Sequence, residues 1–221
     1  MSAAPTGWHH PDVAQAQAAL MDREYAAWRA GGAHRPFDAA RTLLTLADPA
    51  SVLDVGCGAA IYAQLVRDVL PAATYRGCDY AEAMVAWVRA HRPGVEVDRE
   101  DQRTLTYPDQ SFDAVLHGCC LIHLAKPLEW VAAILAATRV TRRWVLLHRT
   151  PVLTAATAWA TDTHRDAYAG QSVEETYVPE ADLRAMIAGV GLRILAIERW
   201  DVGPGRQHWS VLCTKPAGWA A

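Results

Sequence analysis

The chain has 221 residues, of which 52% are hydrophobic and 20% are charged, a balance typical of a folded domain and unlike that of disordered chains. Its net charge of −3 leaves no excess of positive charge to hold a polyanion, so we expect no nucleic-acid partner. We expect one domain over residues 1–221, with an N-terminal helical segment over residues 1–48 and a core over residues 49–221.

The cysteines and the hydropathy of the chain indicate in which cellular compartment the protein is expected. The five cysteines stand in apolar stretches, are odd in number and show no metal-ligand spacing, which favours reduced thiols in a cytoplasmic protein. No apolar stretch approaches the ~20 residues that a membrane-spanning helix needs. We therefore expect no membrane role, and we also expect no metal site, because the adjacent His9 and His10 lack further ligands.

Two helices are predicted ahead of the first strand. A capping box at Asp12 and an apolar face that includes Tyr25 and Trp28 predict the first helix. The second is predicted over residues 37–47, before Pro49 interrupts the pattern.

From Ser51 onwards, short apolar runs alternate with helical stretches, which predicts βαβ units and a parallel sheet. The predicted strands are 52–55, 74–78, 95–97, 112–116 and 144–148. Two further strands, 192–199 and 208–214, follow a helix over 180–188, and the short Gly203-Pro204-Gly205 turn between them predicts an antiparallel pair. The weakly patterned stretch from Thr150 to Val178 is expected to be a loop that covers a site.

The first predicted strand ends in a glycine-rich turn, Asp54-Val55-Gly56-Cys57-Gly58-Ala59-Ala60, that opens a helix. Glycine lets the backbone turn sharply and lets a ligand approach it closely. A nicotinamide-binding turn would have a third glycine where this chain has Ile61, which argues against a dehydrogenase.

The turn resembles motif I of class I S-adenosylmethionine-dependent methyltransferases, written D/E-x-G-x-G-x-G, with Ala60 in place of the last glycine. Three more segments resemble the family in the same order along the chain, roughly from Ser51 to Lys215. They are Gly77-Cys78-Asp79, Glu100-Asp101-Gln102, and residues 105–113, which match the pattern L-P-F-P-D-x-S-F-D.

The resemblance implies an α/β fold: a Rossmann-like sheet of seven mostly parallel strands in the order 3-2-1-4-5-7-6, the last strand antiparallel, with helices on both faces. It also implies S-adenosyl-L-methionine as the cofactor. Asp79 would accept hydrogen bonds from the ribose hydroxyls and Asp101 would receive the adenine amino group. The resemblance further implies that the N-terminal helices, residues 1–48, form a lid over the cofactor and the acceptor. The full set expected to bind the cofactor is Asp54, Gly56, Cys57, Gly58, Asp79, Tyr80, Asp101, Gln102 and Gly118, with Tyr25 and Arg29 from this lid.

Other interpretations of these residues stay open. Asp79 can cap a helix, Asp101 can be a solvated loop acid, and Tyr25 can belong to the apolar face of a packed helix.

The acceptor is expected near the carboxyl ends of the first, fourth and fifth strands, where the strand order reverses. Methyl transfer depends mainly on alignment of the nucleophile, and any base would come from His117, His123 or His148, with His148 preferred because it ends an apolar strand. Arg149 would bind an acidic substrate group or pair with a surface carboxylate.

The sequence thus predicts a methyltransferase for a small-molecule acceptor of undetermined identity, acting as a monomer or a homodimer. A protein or RNA methyltransferase would need Arg139, Arg142 and Arg143 to join a larger positive patch. A third possibility is a relative of the same fold that uses the cofactor for other chemistry, such as cyclisation.

Overall fold

The computed structural model describes residues 7–168 and 170–219, without the side chains of 165–167. Residues 1–6 of the predicted lid lie outside the described residues. The helices are α1 (Pro11–Arg29), α2 (Arg35–Ala47), α3 (Ile61–Val69), α4 (Glu82–His91), α5 (Pro127–Val140) and α6 (Glu180–Gly189), and two 3₁₀ turns cover Gly7–His9 and Leu121–His123.

Both N-terminal helices form, and each is capped by a histidine. The predicted capping box at Asp12 is wrong: His10 is the N-cap, and its Nδ1 accepts a hydrogen bond from the Asp12 backbone N–H at 3.2 Å. In α2, His34 Nδ1 accepts the Phe37 N–H at 3.3 Å, so this helix begins two residues earlier than predicted. An imidazole nitrogen here does the work of the hydroxyl or carboxylate that usually caps a helix.

The predicted mostly parallel sheet forms, and its seven predicted strands follow the expected order, but the described residues form nine strands rather than seven. Its strands are β1 (Ser51–Val55), β2 (Thr74–Asp79), β3 (Glu96–Arg99), β4 (Phe112–Gly118), β5 (Thr141–Leu153), β6 (Ala160–Tyr168), β7 (Gln171–Pro179), β8 (Arg193–Gly203) and β9 (Arg206–Thr214). The main sheet runs β3-β2-β1-β4-β5-β9-β8. The strands from β3 to β5 are parallel, and β9 is antiparallel to both β5 and β8.

The predicted loop from Thr150 to Val178 is wrong. Strand β5 continues to Leu153, and β6 and β7 form an antiparallel hairpin whose second strand joins the end of β5 through the pairs Val152 with Val178 and Leu153 with Pro179. Strand β6 carries mostly polar residues, so no alternation of apolar residues marked it in the sequence. Strand β6 forms because it pairs with β7, which in turn pairs with the extension of β5.

Two apolar layers enclose the sheet and fix its faces. Leu53 and Val115 belong to a buried cluster shared with α5 and α6 on one face. Val52, Leu116 and Leu146 belong to a cluster shared with α1, α2 and α3 on the other. Successive side chains of a strand alternate between the two faces of the sheet. The face occupied by each polar residue at a strand end therefore follows from its position relative to these buried residues.

Candidate active site

The glycine-rich turn after β1 passes between two side chains. Gly56 and Gly58 have φ values of 67° and 52°, in the left-handed region that favours glycine. A Cβ on Gly56 would lie 2.3 Å from the Cβ of Cys120, and one on Gly58 would lie 2.5 Å from Oε1 of Gln17. Ala60, at the position of the motif's last glycine, is also left-handed, with a φ of 56°. The backbone therefore needs glycine-like freedom at all three motif positions.

Asp79 reaches this turn from the end of β2. Its Oδ2 accepts the Gly58 N–H at 2.9 Å and its Oδ1 accepts the Ala81 N–H at 2.9 Å. Burial raises the pKa of Asp79, and these hydrogen bonds oppose the rise. The parallel register that pairs Val55 with Cys78 brings the two strand ends together. The two predicted motifs thus meet at one edge of the sheet.

Asp54 lies beneath this edge rather than on its surface. Its Oδ2 accepts a hydrogen bond from the Tyr75 hydroxyl at 2.7 Å, and its Oδ1 is buried without a partner among the described residues. Burial raises the pKa of Asp54 to about 7, although the Tyr75 hydrogen bond lowers it. A Cβ on Gly118 would lie 3.0 Å from the Asp54 Oδ1, so the ends of β1 and β4 approach closely here.

Cys57 and Tyr80, which flank the two motifs, have different surroundings. Cys57 is buried in an apolar cluster with Ala60 and Val85. Tyr80 is 44% exposed, and the ring of His9 meets its ring edge-on at 5.5 Å. The first 3₁₀ turn therefore lies over the end of β2.

Asp101 and Gln102 differ in whether all of their side-chain oxygens have hydrogen-bond partners. The guanidinium of Arg103 donates to both Asp101 carboxylate oxygens, at distances from 2.6 to 3.1 Å. Burial raises the pKa of Asp101, but the hydrogen bonds and charge of Arg103 outweigh it and lower the pKa overall. Gln102 donates from Nε2 to the Cys120 carbonyl at 3.2 Å, and its Oε1 is buried without a partner among the described residues. The free acceptor at this position is Gln102.

The structure does not bring Tyr25 and Arg29 to the glycine-rich turn. The Tyr25 hydroxyl donates to Asp68 at 2.8 Å, and Arg29 Nε lies 3.0 Å from the same carboxylate. Asp68 is in the last turn of α3, about 10 Å along that helix from the turn. Tyr25 packs against Trp28 and Phe37, as the apolar face of a packed helix does. Their contact with a cofactor stays a prediction.

Gln17 of α1 contacts the glycine-rich turn, and the sequence analysis missed it. Its Oε1 accepts the Ala59 N–H at 2.9 Å, and its amide group fills the space above Gly58. Two more contacts hold α1 in place, from Trp87 Nε1 to Gln15 and from Arg92 to Asp22. No local pattern distinguishes Gln17 from the other polar residues of α1, since its position depends on how α1 packs across α3 and α4.

His148 lies at the carboxyl end of β5, in register with Gly118 of β4. Its Nδ1 is 2.8 Å from the Ser210 hydroxyl, its Nε2 is buried without a partner among the described residues, and the Tyr62 ring meets it edge-on at 5.2 Å. Burial, aided by the charges of Arg149 and His208, holds the pKa of His148 well below its ordinary value. The imidazole is therefore neutral at physiological pH.

The other two candidate histidines lie elsewhere. His117 shares a sheet face with Val115, towards α5, and its Nδ1 contacts Cys120 Sγ at 3.2 Å. Burial lowers the pKa of His117 to about 4. His123 contacts the Glu174 carbonyl of β7 at 3.0 Å and lies beneath the Trp8 ring at 5.0 Å. Of the three, His148 has the surroundings that suit an acceptor site.

Two negative findings concern the described part of the chain. Within residues 7–168 and 170–219, no group of three or more acidic, histidine or cysteine side chains is arranged to hold a metal ion. None of the described helices is both long and apolar enough to cross a bilayer.

Residues 52–143 match a family model described as a methyltransferase domain. A probable S-adenosylmethionine-dependent methyltransferase from Mycolicibacterium smegmatis is 38% identical over 81 residues, which are 37% of this chain and 31% of that protein. The chain thus covers about a third of the length of this curated relative. The match to the family model includes the glycine-rich turn. Residues 52–143 of the chain are therefore similar to a methyltransferase domain.

Solved structures share the fold of the methyltransferase domain well beyond the matched residues. The amino pentose methyltransferase CalS10 of Micromonospora echinaspora superposes with a TM-score of 0.61 at 22% identity, over 87% of this chain and 96% of that one. The [4+2]-cyclase SpnF superposes with a TM-score of 0.59 at 19% identity, over 99% of both chains. At these identities the likeness establishes the fold alone.

Proposed function

We propose that the chain is an S-adenosylmethionine-dependent methyltransferase that acts on a small-molecule acceptor. The observation that carries the proposal is the contact of Asp79 with the Gly58 N–H at 2.9 Å. It joins the two motifs by which the sequence resembles the family, at the carboxyl edge of a parallel sheet, where open α/β sheets bind their ligands.

The residues at this edge fit the cofactor. The Asp54 and Gln102 side chains each hold a buried oxygen without a partner among the described residues. The atoms nearest to the space above Gly58 belong to the end of the flexible Gln17 side chain, which a ligand can displace. A cofactor in this place would meet the Gly58 turn, the Asp79 carboxylate and the Gln102 Oε1. When bound, S-adenosylmethionine supplies an electrophilic methyl group.

Gln102 is a better partner for an adenine amino group than Asp101, which the resemblance implied. Arg103 already occupies both Asp101 oxygens, whereas the Gln102 Oε1 has no partner among the described residues. We also propose that residues 1–48 act as a lid over this edge, because His9 and Gln17 of this segment lie against Tyr80 and Gly58.

His148 is the residue of this chain best placed to orient an acceptor. Its buried Nε2 faces no described partner, while Ser210 holds Nδ1 at 2.8 Å. If the ring proton is on Nδ1, the lone pair of Nε2 is free to accept a proton or a hydrogen bond. The low pKa suits hydrogen bonding by the neutral ring better than strong general-base catalysis.

A small acceptor is supported by the surface around α5 and by the family. The three arginines considered for RNA binding do not form a free patch: Arg139 pairs with Asp109, Arg142 pairs with Asp113, and Arg143 stacks on Trp144. CalS10 acts on an amino pentose, which is a small molecule.

Cyclisation, the chemistry named for the structural neighbour SpnF, is the second candidate function. Product analysis separates it from methyl transfer, because only methyl transfer leaves S-adenosylhomocysteine.

The experiment is isothermal titration of the purified chain with S-adenosylmethionine, S-adenosylhomocysteine and, as a control, NADH. We expect micromolar binding of the two adenosyl compounds and none of NADH. Incubation with S-adenosylmethionine and a panel of small acceptors should then release S-adenosylhomocysteine for at least one acceptor. Absence of adenosyl binding, or binding of NADH instead, would contradict the proposal.

A further inference from the structure

Arg149, one residue after His148, has a backbone conformation that regular strands avoid. Its φ is 54°, in the left-handed region, and the pairing of β5 with β9 is interrupted between Leu147 and Thr150. Left-handed backbone costs a non-glycine residue about 1 to 2 kcal/mol, so the surrounding structure has to impose it. Cys119, at the end of β4, has a φ of 65°, and its N–H donates to the His148 carbonyl at 3.0 Å. The two strand ends thus hold each other in strained conformations.

The guanidinium of Arg149 is unpaired within the described residues. Its Nε is buried without a hydrogen-bond partner, and no described carboxylate lies within salt-bridge distance of it. Two other partly buried arginines do have partners. Arg92 binds Asp22 and the Ala59 carbonyl, and Arg103 binds Asp101 and Glu129. A buried donor of a charged group without a partner is costly.

The described hydroxyl and thiol groups nearest to Arg149 are uncharged. Burial raises the pKa values of Tyr62, Tyr168 and Cys119, and the opposing charge of Arg149 does not reverse the rise. All three side chains are therefore neutral at physiological pH.

Two acidic side chains close enough to act on this site are already paired. Glu175 of β7 pairs with His164 at 3.0 Å, and Glu24 of α1 pairs with His34 at 3.2 Å. Glu175 therefore acts on Arg149 only from beyond hydrogen-bond distance, and no described carboxylate accepts a hydrogen bond from the guanidinium.

We infer that Arg149 binds an oxyanion of the acceptor, a carboxylate or a phosphate, beside His148 at the carboxyl ends of β4 and β5. The inference rests on the proposed function, because it takes the acceptor to lie at this edge of the sheet. A guanidinium offers a planar fork of donors that matches both oxyanions. The guanidinium lies near Tyr62, Tyr168 and Cys119, and a bound oxyanion satisfies the Nε that has no partner among the described residues.

The test is isothermal titration of the chain, saturated with S-adenosylhomocysteine, with two anionic probes and two neutral probes of matched shape. Benzoate is compared with benzamide, and phenyl phosphate with phenol. We expect at least one anion to bind about 10-fold or more tightly than its neutral counterpart, as a charge-assisted contact does. The anion that binds tells a carboxylate acceptor from a phosphorylated one.

Three variants complete the test. Arg149→Gln should abolish the preference for the anion, and Arg149→Lys, which keeps the charge but loses the fork, should retain part of it. Arg67→Gln is the matched control, since Arg67 is exposed on α3. All three should bind S-adenosylhomocysteine as the unchanged protein does, which shows that they are folded.

The outcomes separate the two proposals. If the unchanged protein binds S-adenosylhomocysteine but shows no preference for either anion, or if Arg149→Gln keeps the preference, the inference about Arg149 is wrong and the proposed function stands. If S-adenosylhomocysteine does not bind, the proposed function fails, and the same probes titrated into the free protein still decide whether Arg149 forms an anion site.

Discussion

The cofactor edge, at the ends of β1 and β2, and the acceptor edge, at the ends of β4 and β5, differ in how their polar groups are satisfied. At the cofactor edge, the backbone N–H groups of Gly58 and Ala59 donate to Asp79 and Gln17. At the acceptor edge, buried atoms of His148, Arg149 and Thr150 have no partner among the described residues. Protein side chains thus satisfy the N–H groups of the glycine-rich turn, and the unpartnered groups at the cofactor edge are the acceptor oxygens of Asp54 and Gln102. At the acceptor edge the unpartnered groups include a donor of the charged Arg149 side chain, and the backbone of Arg149 is left-handed.

The largest effect is expected from closing the turn at the cofactor edge. Gly56→Ala would place a methyl group 2.3 Å from the Cys120 Cβ in a left-handed backbone, and should lower the free energy of unfolding by about 3 kcal/mol or more. Gly94→Ala is the matched control, because Gly94 is also left-handed, with a φ of 79°, but faces open space. It should cost only about 1 kcal/mol. Equal losses in urea denaturation would show that Cys120 does not hold the turn.

At the acceptor edge, His148→Ala should lower kcat by about 100-fold while affinity for S-adenosylmethionine stays unchanged, since the ring packs against Tyr62 at the end of β5, where we propose that the acceptor binds. Burial and nearby positive charge keep the pKa of His148 well below 6.5. The neutral ring is then present throughout, so kcat should show no titration of this residue between about pH 6.5 and 8.5.

His91→Ala, on the exposed end of α4, is the control for this measurement. Full activity of His148→Ala with the first acceptor found would remove His148 from the site.

The cofactor edge could be predicted from the sequence because its signal is local. A turn that needs left-handed backbone at Gly56 and Gly58 has to be written with glycine, and the parallel register then places Asp79 beside it. The alternation of strands and helices predicted a parallel sheet that ends in a hairpin, and the strand order came from the resemblance to the methyltransferase family. Tyr25 and Arg29 were expected at this edge only by resemblance, and in the structure both bind Asp68.

The acceptor edge could be predicted only in part. The sequence analysis named His148 and Arg149 from their place after an apolar strand. It missed that β6 and β7 form a hairpin, because β6 lacks the apolar alternation of a half-buried strand. It preferred His148 to His117 but could not assign either side chain to a face of the sheet, and in the structure the two face opposite layers. That distinction depends on which face each strand presents to α3 or to α5, a property of the assembled sheet.

A smaller effect is expected from Asp79→Ala, which removes the acceptor of the Gly58 N–H and the proposed partner of the ribose. Affinity for S-adenosylmethionine should fall by roughly 1 to 3 kcal/mol, the usual cost of losing a charged hydrogen-bond partner. Glu82→Ala, an exposed acid of α4 that pairs with Arg99, is the control and should leave affinity unchanged in isothermal titration. If Asp79→Ala binds as tightly as the unchanged protein, Asp79 only caps the start of α4.

The smallest effect is expected at Gln17, and its sign distinguishes two roles for the lid. The Gln17 amide takes the Ala59 N–H and the space above Gly58, both of which the cofactor needs, so it competes with the ligand. Gln17→Ala should therefore tighten binding of S-adenosylmethionine by about 1 kcal/mol, the net worth of one hydrogen bond. Gln15→Ala loosens α1 from Trp87 without touching the turn and serves as the control. Weaker binding by Gln17→Ala alone would mean that Gln17 moves to bind the cofactor. Gln17 would then contribute to the binding site instead of competing with the ligand.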